Sequence, residues 1–392
     1  MNDQAGVATA ASWPGADRPV QKLHYDGTIG ALYGIFIKNL LLGTISLTIY
    51  RFWGKTNLRR YAWSHMTLQG HRFEYTGRGG ELFIGFLIVT GFYVVFFIVT
   101  AIVGLVAGDA GKAIGPVILL VLIPYLVFVA QYAAQNYRLT RTLWCGIRGG
   151  MTGSAWKYGV KAFLFTLLNL ITFGLATPWT TMRLTEDRFN NSYFGNAKAS
   201  LQASSKPLYL PFILGFVGML AGIVLLSVAY WLVVMPMVAA SDLSYIIFEM
   251  QAAEEAGREP NLSPEQIAAY VTFFASVGVG VYLSFIIIAL VAFAPYAAAQ
   301  FRQIANNLSI AEVRFASQVT AMRYIGLWIG NLLWVVLTLG LGLPVAVHRT
   351  FKFFADRVEL HGTLDTARLQ QTTLDRPKFG EGLLEAFDPG FL

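Results

Sequence analysis

Residues 82–106 read LFIGFLIVTGFYVVFFIVTAIVGLV, 25 positions without a charged side chain. About 20 apolar residues in a helix already cross the hydrocarbon core of a bilayer. The stretch predicts a transmembrane helix. Three more uncharged runs follow at 113–137, 207–241 and 266–301. Composition agrees with them. Of 392 residues, 55% are apolar and 13% charged, about half the charged share of a soluble domain. So few charges could not cover the surface of a soluble chain of this size. A soluble enzyme and a disordered chain are excluded, and the four runs predict a polytopic α-helical membrane protein.

Three shorter apolar elements lie between the runs: A (28–50, interrupted by Lys38), B (162–182) and C (324–347). If all seven segments cross the bilayer, one side gathers 18 Lys and Arg and the other 10. If A, B and C enter and leave by the same face, the split is 26 to 2. The positive-inside rule selects the second layout. It gives four true spans, both termini cytoplasmic, and three re-entrant or broken helical elements. Backbone of that kind is tolerated at membrane depth only where protein or water covers it. The polar stretch 1–28 has no apolar h-region and is not expected to be a signal peptide. The single cysteine, Cys145, forms no intrachain disulfide.

The three elements resemble one another. Ser46-Leu47-Thr48-Ile49-Tyr50-Arg51-Phe52-Trp53 aligns with Thr172-Phe173-Gly174-Leu175-Ala176-Thr177-Pro178-Trp179 and with Thr338-Leu339-Gly340-Leu341-Gly342-Leu343-Pro344-Val345. The offsets are 126 and then 166 residues. In the same registers Lys22, Arg148 and Arg314 coincide, as do Tyr158 and Tyr324. Asn39 falls on Asn331, while Asn169 lies one helical turn later. The order is two copies of an element-plus-two-spans unit, then a third copy of the element alone. The predicted organisation is an arm (1–29), repeat 1 (30–153), repeat 2 (154–315, with an acidic outer segment at 239–265), a partial repeat 3 (316–362) and a polar tail (363–392).

Gly174, Pro178, Gly340 and Pro344 predict a helix break or tight turn, because Gly weakens a helix and Pro removes a donor and clashes with the preceding turn. Element A has Arg51-Phe52-Trp53 where B has Thr177-Pro178-Trp179, which argues against so sharp a break there. Stretches such as 67–75 and 308–315, with weaker versions at 143–148 and 193–197, alternate with period two and predict short cytoplasmic hairpins. The fold class expected is therefore an all-α polytopic membrane protein with internal repeats and a small accessory β layer.

The run Leu68-Gln69-Gly70-His71-Arg72-Phe73-Glu74-Tyr75, the segment Asn39-Leu40-Leu41-Leu42 and the 172–179 motif together resemble the YjgN-like family of bacterial inner-membrane proteins, a domain of unknown function. The likeness runs from about Leu23 to Gly362. It implies a location in the bacterial cytoplasmic membrane and brings no catalytic or binding residue with it.

Candidate residues follow from embedded polarity and from the charged rim. Lys38, Asn39, Asn169 and Asn331 could line a polar cavity if the three elements converge, since intramembrane polar groups are functional hypotheses by default. The competing reading has Lys38 snorkelling and the asparagines bonding a neighbouring helix. Lys55, Arg59, Arg60, Arg183, Arg188, Arg349 and Lys352 follow the elements and are candidate contacts for anionic lipid headgroups. Pairs such as Gly218/Gly222 have the spacing of close helix packing. Ser263-Pro264 has the form of a helix start. His65, His71 and Glu74 are close in sequence, but His71 and Glu74 would face opposite sides of a strand. No metal site, cofactor, nucleic-acid contact or enzyme motif is expected. Two functions remain: a transporter or channel for a small solute or lipid, and a non-enzymatic membrane-organising protein that binds anionic lipid or a cytoplasmic partner. Self-association is left open.

Overall fold

Each alternating stretch folds as a hairpin about a two-residue turn. In the first, Gln69 and Gly70 lie at φ 52° and 78°; in the second, Cys145 and Gly146 lie at 51° and 74°. Positive φ at both central residues matches the right-handed twist of the flanking strands. In this computed structural model, residues 19–365 and 368–374 are described, side chains of 109–114 excepted. The first eighteen residues of the expected arm and most of the tail lie outside them. The chain forms two compact units. One comprises the described parts of Met1–Lys206, Gln300–Val319 and Asn331–Leu392; the other is Pro207–Ala299 with Thr320–Gly330.

The first unit holds every strand among the described residues. In chain order they are β1 (Val20–Lys22), β2 (His24–Tyr25), β3 (Met66–Leu68), β4 (His71–Tyr75), β5 (Thr142–Trp144), β6 (Ile147–Met151), β7 (Ser192–Phe194), β8 (Ala197–Leu201), β9 (Leu308–Ile310), β10 (Val313–Ala316) and β11 (Glu359–His361). They form one antiparallel sheet in the order β1-β11-β10-β9-β8-β7-β6-β5-β4-β3-β2. Only Leu23 separates β1 from β2, so the sheet curls until both ends meet in one segment. The all-α expectation is thereby corrected: 69% of the described residues are helical, but the hairpins join into an 11-stranded near-barrel. The physical reason is edge satisfaction. An isolated two-stranded hairpin is marginal and leaves a row of unpaired N–H and C=O groups on each side. Pairing each hairpin to the next removes the edges between them.

The helices are α1 (Ile29–Ile45), α2 (Arg51–Ser64), α3 (Gly79–Arg141), α4 (Ala155–Ile171), α5 (Thr177–Asn190), α6 (Lys206–Ala239), α7 (Leu243–Glu255), α8 (Pro264–Asn307), α9 (Ala321–Leu337) and α10 (Leu343–Ala355). Every helical excursion starts and ends on paired strands. α1–α2 connects β2 to β3, α3 connects β4 to β5, and α4–α5 connects β6 to β7. The chain through α6, α7 and α8 connects β8 to β9, and α9–α10 connects β10 to β11. The repeat offsets carry α1 onto α4 and α9, and α2 onto α5, residue for residue.

The sheet's centre is apolar. Leu68, Trp144, Val313 and Leu360 are buried there, with Phe73 and Phe194 packed around them. Leu68, Phe194 and Leu360 occupy one register position in the three repeats. Trp144 Nε1 donates to the Leu68 carbonyl at 3.2 Å, so its buried N–H is satisfied. The segment after β11 crosses the hairpin tips. Leu364 and Leu369 join the apolar centre, and the buried Arg148 guanidinium donates to the carbonyls of Thr372 and Leu374.

Among the described residues, four stretches are long and apolar enough to span a membrane: Gly79–Gly108, Gly115–Arg141, Lys206–Ala239 and Pro264–Asn307. The first two are the halves of α3, broken where Gly108 takes φ 61°, ψ −142°. In the second unit α6 packs closely on α8. A Cβ at Gly222 would meet Ile288 at 2.4 Å, and one at Gly215 would meet the Ala292 carbonyl oxygen at 2.9 Å. The start of α8 is a reciprocal capping box: the Gln266 amide donates to Ser263 Oγ (3.2 Å) and the Ser263 amide to Gln266 Oε1 (2.8 Å). In the acidic outer segment Glu249 accepts from Arg258 at 2.6 Å, an ion pair that fixes the end of α7.

Candidate functional site

The three helix pairs share one turn. At the end of α1 the amide of Thr48 reaches back to the Gly43 carbonyl, and that of Leu47 to Thr44. Gly174 and Phe173 repeat these bonds onto Asn169 and Leu170, and Gly340 and Leu339 repeat them onto Val335 and Val336. This 6→1 and 5→2 pattern is a Schellman closure. Leu47, Phe173 and Leu339 take φ near 50°, and the next residues, Thr48, Gly174 and Gly340, take 70°, 84° and 91°. A hydroxyl then starts each second helix. Ser46 Oγ accepts from the Tyr50 amide (2.8 Å), Thr172 Oγ1 from Ala176 (3.2 Å) and Thr338 Oγ1 from Gly342 (2.6 Å). Pro178 and Pro344 are the second residues of α5 and α10 and lie in the first helical turn rather than in the connecting turn itself. Element A makes the same turn without a proline.

Each asparagine closes its own pair. Asn39 Nδ2 donates to the Gly54 carbonyl (3.2 Å), Asn169 Nδ2 to Thr180 Oγ1 (3.1 Å), and Asn331 Nδ2 to Thr350 Oγ1 (3.0 Å) and the Ala346 carbonyl (3.4 Å). Gly54, Thr180 and Ala346 are one register position. Asn169, one turn further along α4 than its counterparts, meets a side chain instead of the backbone. Lys38 is exposed and joins none of these clasps.

The basic residues divide. Arg59 is buried against the Tyr75 ring and hydroxyl, while Arg60 is exposed and donates to the Gly77 carbonyl at 2.7 Å. Lys55, Arg188 and Arg349 are half-buried, Lys352 is exposed, and Arg183 pairs with Glu186 at 2.9 Å. Arg60, Glu186 and Lys352 are one register position. Where Arg60 donates to the Gly77 carbonyl, Glu186 accepts from the Ala203 amide at 3.1 Å, an inversion of polarity at the same point of the repeat.

Between α2 and the first turn of α3 lies a cavity of about 490 Å³, walled by Trp53, Asn57, Arg60, Arg78 and Gly79 among others. A Cβ at Gly79 would come within 2.7 Å of Trp53, so glycine there permits the close approach that shapes the wall. Glu81 also reaches the wall, but its carboxylate accepts from Arg141 (3.0 and 3.1 Å) and from Tyr137 (2.5 Å). Sequence reasoning passed over Arg78, whose Arg-Gly-Gly context reads as a basic turn. It also passed over the hydroxyls of Ser46, Thr172 and Thr338, although they open the aligned stretch. Among the described residues, no group of three or more His, Cys, Asp or Glu is placed to hold a metal ion.

A family model described as a bacterial protein of unknown function (DUF898) matches residues 20–386. The chain belongs to this family. The DUF898 match opens at the first residue of β1, so the ring-closing segment is part of the family's unit. Relatives include the inner membrane protein YjgN of Escherichia coli K12, 30% identical over 158 residues, which are 40% of this chain and 38% of the relative. The YjgN protein of Salmonella typhimurium LT2 is 26% identical over 383 residues, covering 88% of this chain and 90% of its own. The chain thus aligns with under half the length of the Escherichia coli relative and most of the Salmonella one. No solved structure matches. With four helices among the described residues long and apolar enough to span a membrane, and relatives named for the inner membrane, this DUF898 chain is an inner-membrane protein.

Proposed function

We propose that this DUF898 protein is a non-enzymatic organiser of the inner membrane, which sinks three helix pairs part-way into the cytoplasmic leaflet and gathers anionic lipid around them. The observation that carries this reading is the chemistry of the three tips. Ile45 and Leu47, Ile171 and Phe173, and Leu337 and Leu339 hold matching positions and are 76–93% exposed. Leaving such side chains in water costs about 1.5–3 kcal/mol each relative to burial. Lipid removes that cost. Both ends of every pair return to the sheet, so a tip that enters the bilayer turns back within it. In this layout the sheet, both termini and 26 of the 29 Lys and Arg lie on the cytoplasmic side.

Transport has less support. The asparagines that would line a path close their own helix pairs, and Trp144 and its neighbours fill the centre of the sheet.

The test uses Cys145→Ser protein carrying Leu47→Cys, Phe173→Cys or Leu339→Cys, labelled with an environment-sensitive fluorophore in vesicles. All three labels are expected to be quenched by spin-labelled acyl chains and shielded from aqueous quenchers. Lys198→Cys is expected to react with an impermeant thiol reagent only after inside-out membranes are made. Tips open to aqueous quencher, or Lys198→Cys reacting from outside intact cells, would overturn the reading.

A further inference from the structure

We infer that the cavity between α2 and α3 is a discrete binding site for the phosphate of an anionic phospholipid headgroup; this rests on the reading of the protein as a lipid organiser and locates where the lipid is held. Three observations carry it. First, the charge of the cavity is unspent. Arg78 bonds through its main chain, its carbonyl accepting from the Glu81 amide at 3.1 Å, while its exposed guanidinium makes no hydrogen bond or ion pair with any described residue; Arg60 is anchored through one nitrogen to the Gly77 carbonyl, which fixes where its guanidinium sits. The one carboxylate of the wall, Glu81, is matched by the Arg141 guanidinium, so the two arginines are left as net positive charge. Arginine forks suit the paired oxygens of a phosphate.

Second, the position suits a lipid. The wall includes Trp53, partly exposed and flanked by Tyr50 and Phe83, at the point where the Gly79–Gly108 span begins. Tryptophan and tyrosine collect at the headgroup level. A volume of about 490 Å³ is within the range of small-ligand pockets and holds a headgroup rather than a bare ion.

Third, the repeat supplies an internal comparison. The offset that carries α2 onto α5 carries Arg60 onto Glu186 and Arg78 onto Ser204. There Glu186 is occupied by Arg183 and by the Ala203 amide. The same backbone therefore carries cations at these two positions in the first copy and not in the second, where the cation at the Asn57 position, Arg183, is paired with Glu186, so the cationic pair is not a requirement of the fold.

Native mass spectrometry of the purified full chain, supplied with phosphatidylglycerol or phosphatidylcholine, tests the site. Wild type is expected to retain one phosphatidylglycerol that phosphatidylcholine does not replace. R78E and R60Q are expected to lose at least about tenfold in its affinity, as for removal of a charge-assisted hydrogen bond. The Arg78 side chain is exposed and has no partner among the described residues, so R78E is expected to melt with the wild type, which separates binding from folding. K352E makes a similar charge change at the Arg60 position of the third copy and is expected to leave the bound lipid in place. If K352E weakens binding as much as R78E, the lipid is held by diffuse surface charge; the site is then overturned while the organiser reading stands. If R78E and R60Q both bind as wild type, the site is overturned outright. Inorganic phosphate displacing the lipid at equal concentration would make free phosphate the ligand and overturn the assignment to lipid.

Discussion

The first and second helix pairs are the same backbone with different chemistry. α1 and α4 have equal length, as do α2 and α5, and both pairs turn through a Schellman closure followed by a hydroxyl cap. Yet the first pair has Thr48 where the second has Gly174, Arg51-Phe52 where the second has Thr177-Pro178, and Arg60 where the second has Glu186. The residues named by propensity arguments, glycine and proline, are thus the dispensable ones. The turn is held by backbone bonds and one hydroxyl. What the copies are free to change is surface charge and the manner in which asparagine crosses the pair.

The register common to both copies is enforced at the sheet, so the largest expected effect comes from emptying its centre. Trp144 is 1% exposed and touches strands from more than one repeat. Trp144→Ala removes a large buried ring and orphans the Leu68 carbonyl of its side-chain donor; a loss of about 3–5 kcal/mol is expected. Chemical unfolding in detergent reads it. A loss under about 1 kcal/mol would mean that the copies hold their register without the ring.

The turn residues come next. A β-branched residue at φ 70° is an uncommon strain, and left-handed backbone costs a non-glycine residue roughly 1–2 kcal/mol. Thr48→Gly is expected to stabilise the protein by about that amount and Gly174→Thr to destabilise it similarly. Equal and opposite shifts in unfolding free energy would confirm that the copies differ in strain and not in shape. If Gly174→Thr is neutral, the turn of the second copy is not the one described.

Smaller again is the hydroxyl cap. Thr172→Ala leaves the Ala176 amide without its partner, and an N-cap-like loss of about 1 kcal/mol is expected. Ser46→Ala removes the shorter, 2.8 Å bond to Tyr50 and should cost at least as much. Thr172→Ser, which keeps the oxygen, should recover most of the loss. A Thr172→Ser variant as weak as Thr172→Ala would place the effect in the methyl group's packing instead.

These contrasts mark what could be read from the residues in advance. The spans were legible because 25-residue uncharged runs have few other uses. The hairpins were legible from alternation, and the repeat from the alignment of 46–53, 172–179 and 338–345. Closure of the sheet was not, because it depends on pairing three-residue strands far apart in sequence, and such short segments carry almost no periodic signal. A trace was present: Lys22, Arg148 and Arg314 share a register, and that register now places the β1–β2 segment on β6 and β10. Asn39, Asn169 and Asn331 were recognisable as embedded polar groups, but a clasp across one helix pair and a wall of a shared cavity use the same residue type. Only the positions of Gly54, Thr180 and Ala346 separate the two. Arg78 was obscured because a cation before two glycines looks like any basic turn until α2 is seen beside it.

The smallest difference between the copies is electrostatic and responds to pH. In the first, Arg72 holds Asp26 with contacts of 3.2 and 2.5 Å; in the second, the same positions are Thr152 and Lys198. The hydrogen bond from Arg72 draws the Asp26 carboxyl below its ordinary range. A carboxylate whose pKa is lower folded than unfolded adds stability above the unfolded value, near 3.9, and that contribution is lost as pH falls through the folded value. The stability difference between wild type and Asp26→Asn should therefore be constant at neutral pH and vanish in acid. Asp26 and Arg72 are 35% and 52% exposed, so solvent screens the pair and added salt should shrink the difference further. Lys198 faces no aspartate at the matching position, and Lys198→Met should leave the acid limb unchanged. Unfolding midpoints of the three proteins, followed from neutral pH into the acid limb at low and high salt, decide the matter. An Asp26→Asn difference that survives below the folded pKa would mean that the side chain acts through packing, and that the two copies differ at this point in shape as well as in charge.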